Sequence, residues 1–165
     1  MRKAQQVMFM ADIPLDGFID KPRVDWVISR LAPGDRLVVN SAGGNLLEAI
    51  RLADHVRKNN VNTHVFSTGL AHSSAALVYA AGMNRTAGKN AQFMLHPADD
   101  KPGDKSPSAG TSLFLNKLIG YGVKGSPALI QAGRENLILD YGSARTMNLV
   151  NMDDLPYREV LGPLE

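Results

Sequence analysis

The chain of 165 residues has no cysteine. That absence removes disulfides, thiolate catalysis and cysteine–zinc sites together. Aromatic residues make up only 6%, so no stacking surface for nucleic-acid bases stands out. The net charge is only +2 although the sequence pI is near 9.0. A broad basic face for nucleic acid is therefore not implied. No apolar run approaches the roughly 20 residues a membrane-spanning helix needs. Met1-Arg2-Lys3 is basic, but AQQVMFMAD behind it is too short and polar for a signal-peptide core. The expected location is cytoplasmic, an export signal removed earlier aside. A P-loop and a GxGxxG fingerprint are also missing, and Gly43-Gly44 alone is too little for either. No two histidines stand at a ligand spacing with a nearby carboxylate, so no metal site is expected.

What remains is a length suited to one domain with its own core, read as residues 1–165. Gln6 to Ile13 alternates loosely and predicts a first strand. Pro14 to Pro22 predicts a turn around Gly17. Val24, Val27, Ile28 and Leu31 fall at i, i+3, i+4 and i+7, one face of a helix. Arg36 to Asn40 is a short β-branched run, a buried strand. Leu46, Ala49, Ile50, Ala53 and Val56 then line a helix, with Asn45 as N-cap and Glu48 placed for a capping box. Val61 to Ser67 returns as strand. Strand, helix and strand in that order predict parallel pairing and an α/β fold.

From Ala71 to Ala81 the residues are mostly small, which predicts a central helix pressed close to neighbouring backbone, with Gly82 as its C′ residue. Asn84–Ala87 and Gln92–Leu95 predict two short strands around Gly88-Lys89-Asn90. Pro97 ends the second. Asp99 to Gly110 is polar and reads as a mobile loop. Helices are predicted at Leu113–Ile119, Pro127–Ala132 and Ser143–Leu149, and an extended piece at Val150–Leu155.

Three junctions carry candidate chemistry. Gly43-Gly44 joins strand to helix; it is a tight turn, or a place where backbone N–H groups face a ligand unobstructed. Ser73 stands where a loop enters a helix; it is an ordinary N-cap, or a nucleophile beside the N–H of Ser74. His96 closes the apolar strand Phe93-Met94-Leu95; it is structural, or a base. His55, His64 and His72 are weaker bases by position. Taken singly, each junction is read more readily in structural terms.

Taken together and in order, V-N-S-A-G-G-x-x-x-E-A, G-L-A-H-S-S-A-A and F-M-L-H-P resemble the Clp protease proteolytic subunit and its relatives in the ClpP/crotonase superfamily. The likeness runs from about Ala11 to Asp154 and is strongest to small, divergent members. It implies a spiral of ββα units, a serine peptidase acting on peptides or unfolded protein, and a ring-forming homo-oligomer, with no cofactor. An ATPase partner is possible in such a family and is not specified by this sequence. Residue by residue, the resemblance gives Ser73 as nucleophile, His96 as general base, and Gly44 and Ser74 as oxyanion N–H donors with Gly43 supporting the turn. Ala42 stands where the family usually has proline.

The third triad member is open. Aligning Asn148-Leu149-Val150-Asn151 with the family's Gly-Leu-Val/Ile-Asp segment puts Asn136 at the acid position. Asp140 is the nearest carboxylate and the favoured choice, because Ile138 and Leu139 suggest a buried segment where a carboxylate would take a partner. A different class stays in view: a crotonase-like acyl-CoA enzyme, or an assembly protein with a degenerate site. The Ser73–His96 pair favours the peptidase.

Leu113 to Ile119 lies where relatives carry the element that joins subunits, and one small subunit buries such a helix poorly. Light scattering is expected to return a homo-oligomer. A monomer at high protein concentration would contradict that.

Overall fold

A computed structural model describes residues 11–96, 109–124 and 135–153. The chain is mixed α/β. Strands β1 (Asp12–Asp16), β2 (Arg36–Asn40), β3 (Asn62–Val65) and β5 (Arg85–Ala87) form one sheet in the order β1-β2-β3-β5, all parallel. Strands β4 (Leu70–His72), β6 (Gln92–Leu95) and β7 (Leu137–Leu139) form a second, in which β4 and β6 are parallel and β6 and β7 antiparallel. A single bridge, Ser41 to Ala71, links the end of β2 to β4.

The helices follow the apolar spacing. α1 (Lys21–Arg30) buries Val24 and Val27 and is capped by Asp20, whose side chain accepts from the Arg23 N–H. α2 (Leu46–Lys58) buries Ala49, Leu52, Ala53 and Val56. The Asn45 cap forms, its Oδ1 accepting from the Glu48 N–H at 3.0 Å. The reciprocal half of the capping box does not: Glu48 takes the Arg51 guanidinium instead, and the Asn45 N–H goes to the Ile19 carbonyl. α3 (Ser74–Ala80) is buried on every side, as its small residues predict, and packs on α2. Its Tyr79 ring lies 5.2 Å from that of Phe93, and the Tyr79 hydroxyl donates to the Thr86 carbonyl. α4 (Ala109–Gly120) and α5 (Tyr141–Thr146) complete the described elements.

Several boundaries differ from the sequence reading. β1 runs through Pro14 to Asp16 instead of stopping at Ile13. Proline is tolerated there because β1 is the edge of its sheet and has β2 on one side only. The expected part before Ala11 lies outside the described residues. The two short strands around Gly88 do not pair with each other; β5 joins the first sheet and β6 the second. α4 begins at Ala109, inside the expected loop, whose residues 99–108 lie outside the described set, as does the expected helix at 127–132. α5 starts at Tyr141, two residues before the expected helix. Val150 to Asp153 forms no strand. β7 was not foreseen, since three residues, Leu-Ile-Leu, carry no readable period.

Two buried arginines tie distant segments together. Arg36 is fully buried and holds Asp12 through Nε at 2.9 Å and Nη2 at 2.7 Å. Arg85 donates to the carbonyls of Leu149, Gly82 and Asn148 at 2.7, 2.9 and 2.7 Å. Burial lowers the pKa of Arg85. Its partners fasten the end of the described chain to the start of β5.

Gly82 is needed for space and not for a left-handed cap, since its φ is not positive. A Cβ there would lie 2.2 Å from Thr63 Oγ1. Thr63 is buried, and its hydroxyl donates to the Tyr79 carbonyl at 2.7 Å, so it has little freedom to move. Gly82→Ala is expected to destabilise the fold by about 2 kcal/mol. Gly120→Ala, where a Cβ meets nothing within 4 Å, is the control. Thermal melting of both checks this; equal midpoints would contradict it.

Candidate active site

The site is built where the ends of β2, β4 and β6 meet. After β2 the chain turns through Gly43 and Gly44 into α2. Gly43 has φ +103, a left-handed value that favours glycine. A Cβ on Gly43 would fall 2.9 Å from the His72 carbonyl oxygen and 3.0 Å from Ser73 Cβ. A Cβ on Gly44 would fall 2.4 Å from the Ile19 carbonyl oxygen and 2.7 Å from the Ile19 nitrogen. The turn is therefore gripped from both sides. On one side the Ile19 N–H donates to the Gly43 carbonyl and the Asn45 N–H to the Ile19 carbonyl, at 3.0 and 2.9 Å. On the other stand the two serines.

Ser41 fixes the turn from within. Its hydroxyl accepts from the Gly43 N–H at 3.0 Å and donates to the Gly17 carbonyl at 2.6 Å. Gly43 thus supports the turn with its N–H already engaged, while the Gly44 N–H points toward Ser74.

Ser73 sits between β4 and α3 with φ 59 and ψ −128. A left-handed φ at a residue with a side chain costs on the order of 1–3 kcal/mol and persists only where the surroundings impose it. The surroundings here are visible. The Ser73 N–H is held by the Met94 carbonyl at 2.7 Å, and the His72 N–H by the Ser41 carbonyl at 3.0 Å. The Ser73 side chain makes no cap hydrogen bond to α3, so it does not serve as the N-cap that its position first suggests. The N–H of Ser74, the first residue of α3, has no intrahelical acceptor.

β4 and β6 run parallel with His72 beside Met94. Ser73 and His96 consequently leave neighbouring strands on the same side. Both line a cavity of about 280 Å³ together with Gly44, Ser74, Leu46 and Phe114. The other histidines lie elsewhere. His72 Nε2 is 2.8 Å from Gln92 Oε1, His64 Nδ1 is 2.7 Å from Thr86 Oγ1, and His55 is on α2, where burial and Lys58 lower its pKa.

Neither candidate for the third position lines the cavity. Asp140 is the N-cap of α5, its carboxylate accepting from the Ser143 N–H at 2.8 Å. That hydrogen bond lowers its pKa. Leu139 is buried as expected, but Ile138 is 65% exposed and Asp140 itself is exposed, so the segment buries only one of the two apolar residues that had favoured Asp140. Asn136 precedes β7, whose Leu137 pairs with Leu95. One further step of that antiparallel register sets Asn136 opposite His96, and one step the other way sets Asp140 opposite Gln92.

The sequence reading missed two contributors and half of a third. Ser41 was legible only as part of N-S-A-G-G. Phe114 comes from α4, far along the chain, with no local signal. Ser74 was read for its N–H, whereas its hydroxyl also reaches the glycine turn.

A family model described as Clp protease matches residues 35–105, which include Gly43, Gly44, Ser73, Ser74 and His96. Over that span the chain is similar to the Clp proteases. Asn136 and Asp140 lie beyond it. No curated protein matches the chain. No helix among the described residues is long and apolar enough to cross a membrane.

Gly44→Ala drives a Cβ into the Ile19 backbone, which cannot rotate away as a side chain can. The substitution is expected to cost about 3 kcal/mol and to speed exchange of the Asn45 amide. An unchanged melting temperature would contradict the tight packing of this turn.

Proposed function

We propose that this protein is a serine peptidase in which Ser73 is the nucleophile, His96 the general base, and the N–H groups of Gly44 and Ser74 the donors to the oxyanion. The observation that carries the reading is the backbone of Ser73. A strained serine between a strand and a helix, with its hydroxyl free of capping and facing the same cavity as a histidine and a glycine N–H, has little structural purpose. Strain of this kind projects a side chain out of the regular ladder toward a ligand. The Clp protease match over the same residues supports the assignment.

In this mechanism His96 takes the Ser73 proton as Oγ attacks the peptide carbonyl carbon. The negative charge that develops on the carbonyl oxygen is met by backbone N–H donors whose positions the fold fixes. His96 then returns the proton to the leaving amine, and water repeats the sequence to release the acyl group. Leu46 and Phe114 give the cavity an apolar wall.

For the third member the reading passes from Asp140 to Asn136. The register of β6 and β7 favours Asn136, and Asp140 already caps α5. An asparagine carbonyl can accept from the second imidazole nitrogen and so hold tautomer and orientation. It offers no charge to the imidazolium.

We further infer a homo-oligomer of the spiral ββα type found in the family, working on peptides or unfolded segments. On α4, Leu113 and Ile119 are 39% and 56% exposed while Phe114 and Leu118 are buried. One apolar side of this helix is used within the subunit and another is left for a neighbour.

Peptide hydrolysis tests the unit. Ser73→Ala is expected to remove most turnover, and adding His96→Ala should cost little more, because members of such a unit are grossly non-additive. In the same assay Asn136→Ala should lower turnover, while Asp140→Asn should keep it, since asparagine is also a good N-cap. Multiplying effects of the first pair, or loss of activity in Asp140→Asn alone, would contradict these assignments.

A further inference from the structure

We propose that the Ser74 hydroxyl occupies the position meant for a substrate's carbonyl oxygen, so that the site blocks itself until Ser74 turns away. The inference rests on the peptidase reading given above. Its basis is one short contact. Ser74 Oγ accepts the Gly44 N–H at 2.9 Å, with the Gly44 carbonyl 3.4 Å from the same oxygen. Ser74 is 3% exposed, so water does not replace it there at no cost.

The geometry leaves the glycine turn no spare donor. The Gly43 N–H is held by Ser41 Oγ at 3.0 Å. The Gly44 N–H is thus the donor of this turn that faces the serines, and it already has an acceptor. One N–H does not serve two acceptors at full strength, so a peptide carbonyl entering beside Ser73 competes with the Ser74 hydroxyl. The turn cannot retreat to make room, because Ile19 closes its other side. The hydroxyl can: rotation about a single side-chain bond carries Oγ to another staggered position and leaves the N–H open. Ser74 is therefore a small internal gate that any carbonyl substrate must displace, and it lowers reactivity toward all of them alike.

Ser74→Ala removes the acceptor without adding bulk. The probe is a fluorophosphonate, whose phosphorus bonds to Ser73 Oγ as fluoride leaves, with the labelled residue identified by mass spectrometry. Ser74→Ala is expected to label at Ser73 on the order of three- to tenfold faster than the parent, the range one hydrogen bond spans. The Gly44 amide should also exchange hydrogen faster in Ser74→Ala by a similar factor, a readout independent of catalysis. An equal or slower labelling rate, with the parent still labelled, would overturn the gate and leave the peptidase reading standing. A Gly44 amide that exchanges at the parental rate would overturn it as well. Labelling of neither protein would sink the peptidase reading, and the gate with it.

Discussion

The site depends on how closely the Gly43-Gly44 turn approaches two other stretches of backbone. A Cβ on either glycine would sit within 3 Å of a carbonyl oxygen, from His72 on one side and Ile19 on the other. Close approach brings the end of β2, the entry to α1 and the head of α3 to one point. It also keeps donors in place without side chains, since backbone N–H groups in a clamped turn cannot rotate away. Ser41 has the same purpose from inside, satisfying Gly43 and reaching Gly17. The second sheet is joined here too, through the Ser41–Ala71 bridge. A disturbance at this turn is therefore felt in both sheets.

Farther out, two arginines hold the frame that keeps the turn in register. Arg36 begins β2 and binds Asp12 at the start of β1, so the edge strand is anchored by a charge-assisted pair as well as by its ladder. Arg85 begins β5 and takes three carbonyls, two of them from the segment after α5. These carbonyls are neutral and do not balance its charge; the three oriented dipoles offset part of the desolvation. Asn151 adds its side-chain oxygen to the Arg85 N–H at 2.6 Å. The sequence segment that aligns with the family's Gly-Leu-Val/Ile-Asp is thus a structural latch here.

How much of this was legible in the residues follows from where the information lies. α2 was readable to its first residue, because its apolar stripe and its Asn45 cap are local signals. β2 was equally plain as a β-branched run before glycine. Ser73, Gly44 and His96 were legible as an ordered set, though each has an ordinary meaning alone. β7 was not, because three residues show no period, and its pairing with β6 is a long-range fact. That pairing is what supports the proposal of Asn136 in place of Asp140. Charge argued for Asp140, but an aspartate directly before a helix has a local use as cap, and Asp140 fills it. The strain at Ser73 was equally hidden, since nothing in a serine's neighbours announces a left-handed φ.

The two departures at this site act on different steps and point the same way. A neutral Asn136 beside His96 would orient the ring without stabilising its positive charge, so proton transfer from Ser73 gains less than it would from a carboxylate. In the proposed gate, the Ser74 hydroxyl on the Gly44 N–H would raise the cost of seating the carbonyl before that transfer begins. The first weakens the base and the second the electrophile's cradle. Both leave the nucleophile and its strained backbone intact. A site that had lost its function would have no reason to retain that strain, because relaxing Ser73 to an ordinary helix start would recover stability. Retention of the costly feature alongside two restraining ones is what the proposed peptidase reading expects of a hydrolase with a low basal rate, opened when a substrate supplies enough contact to turn Ser74 aside.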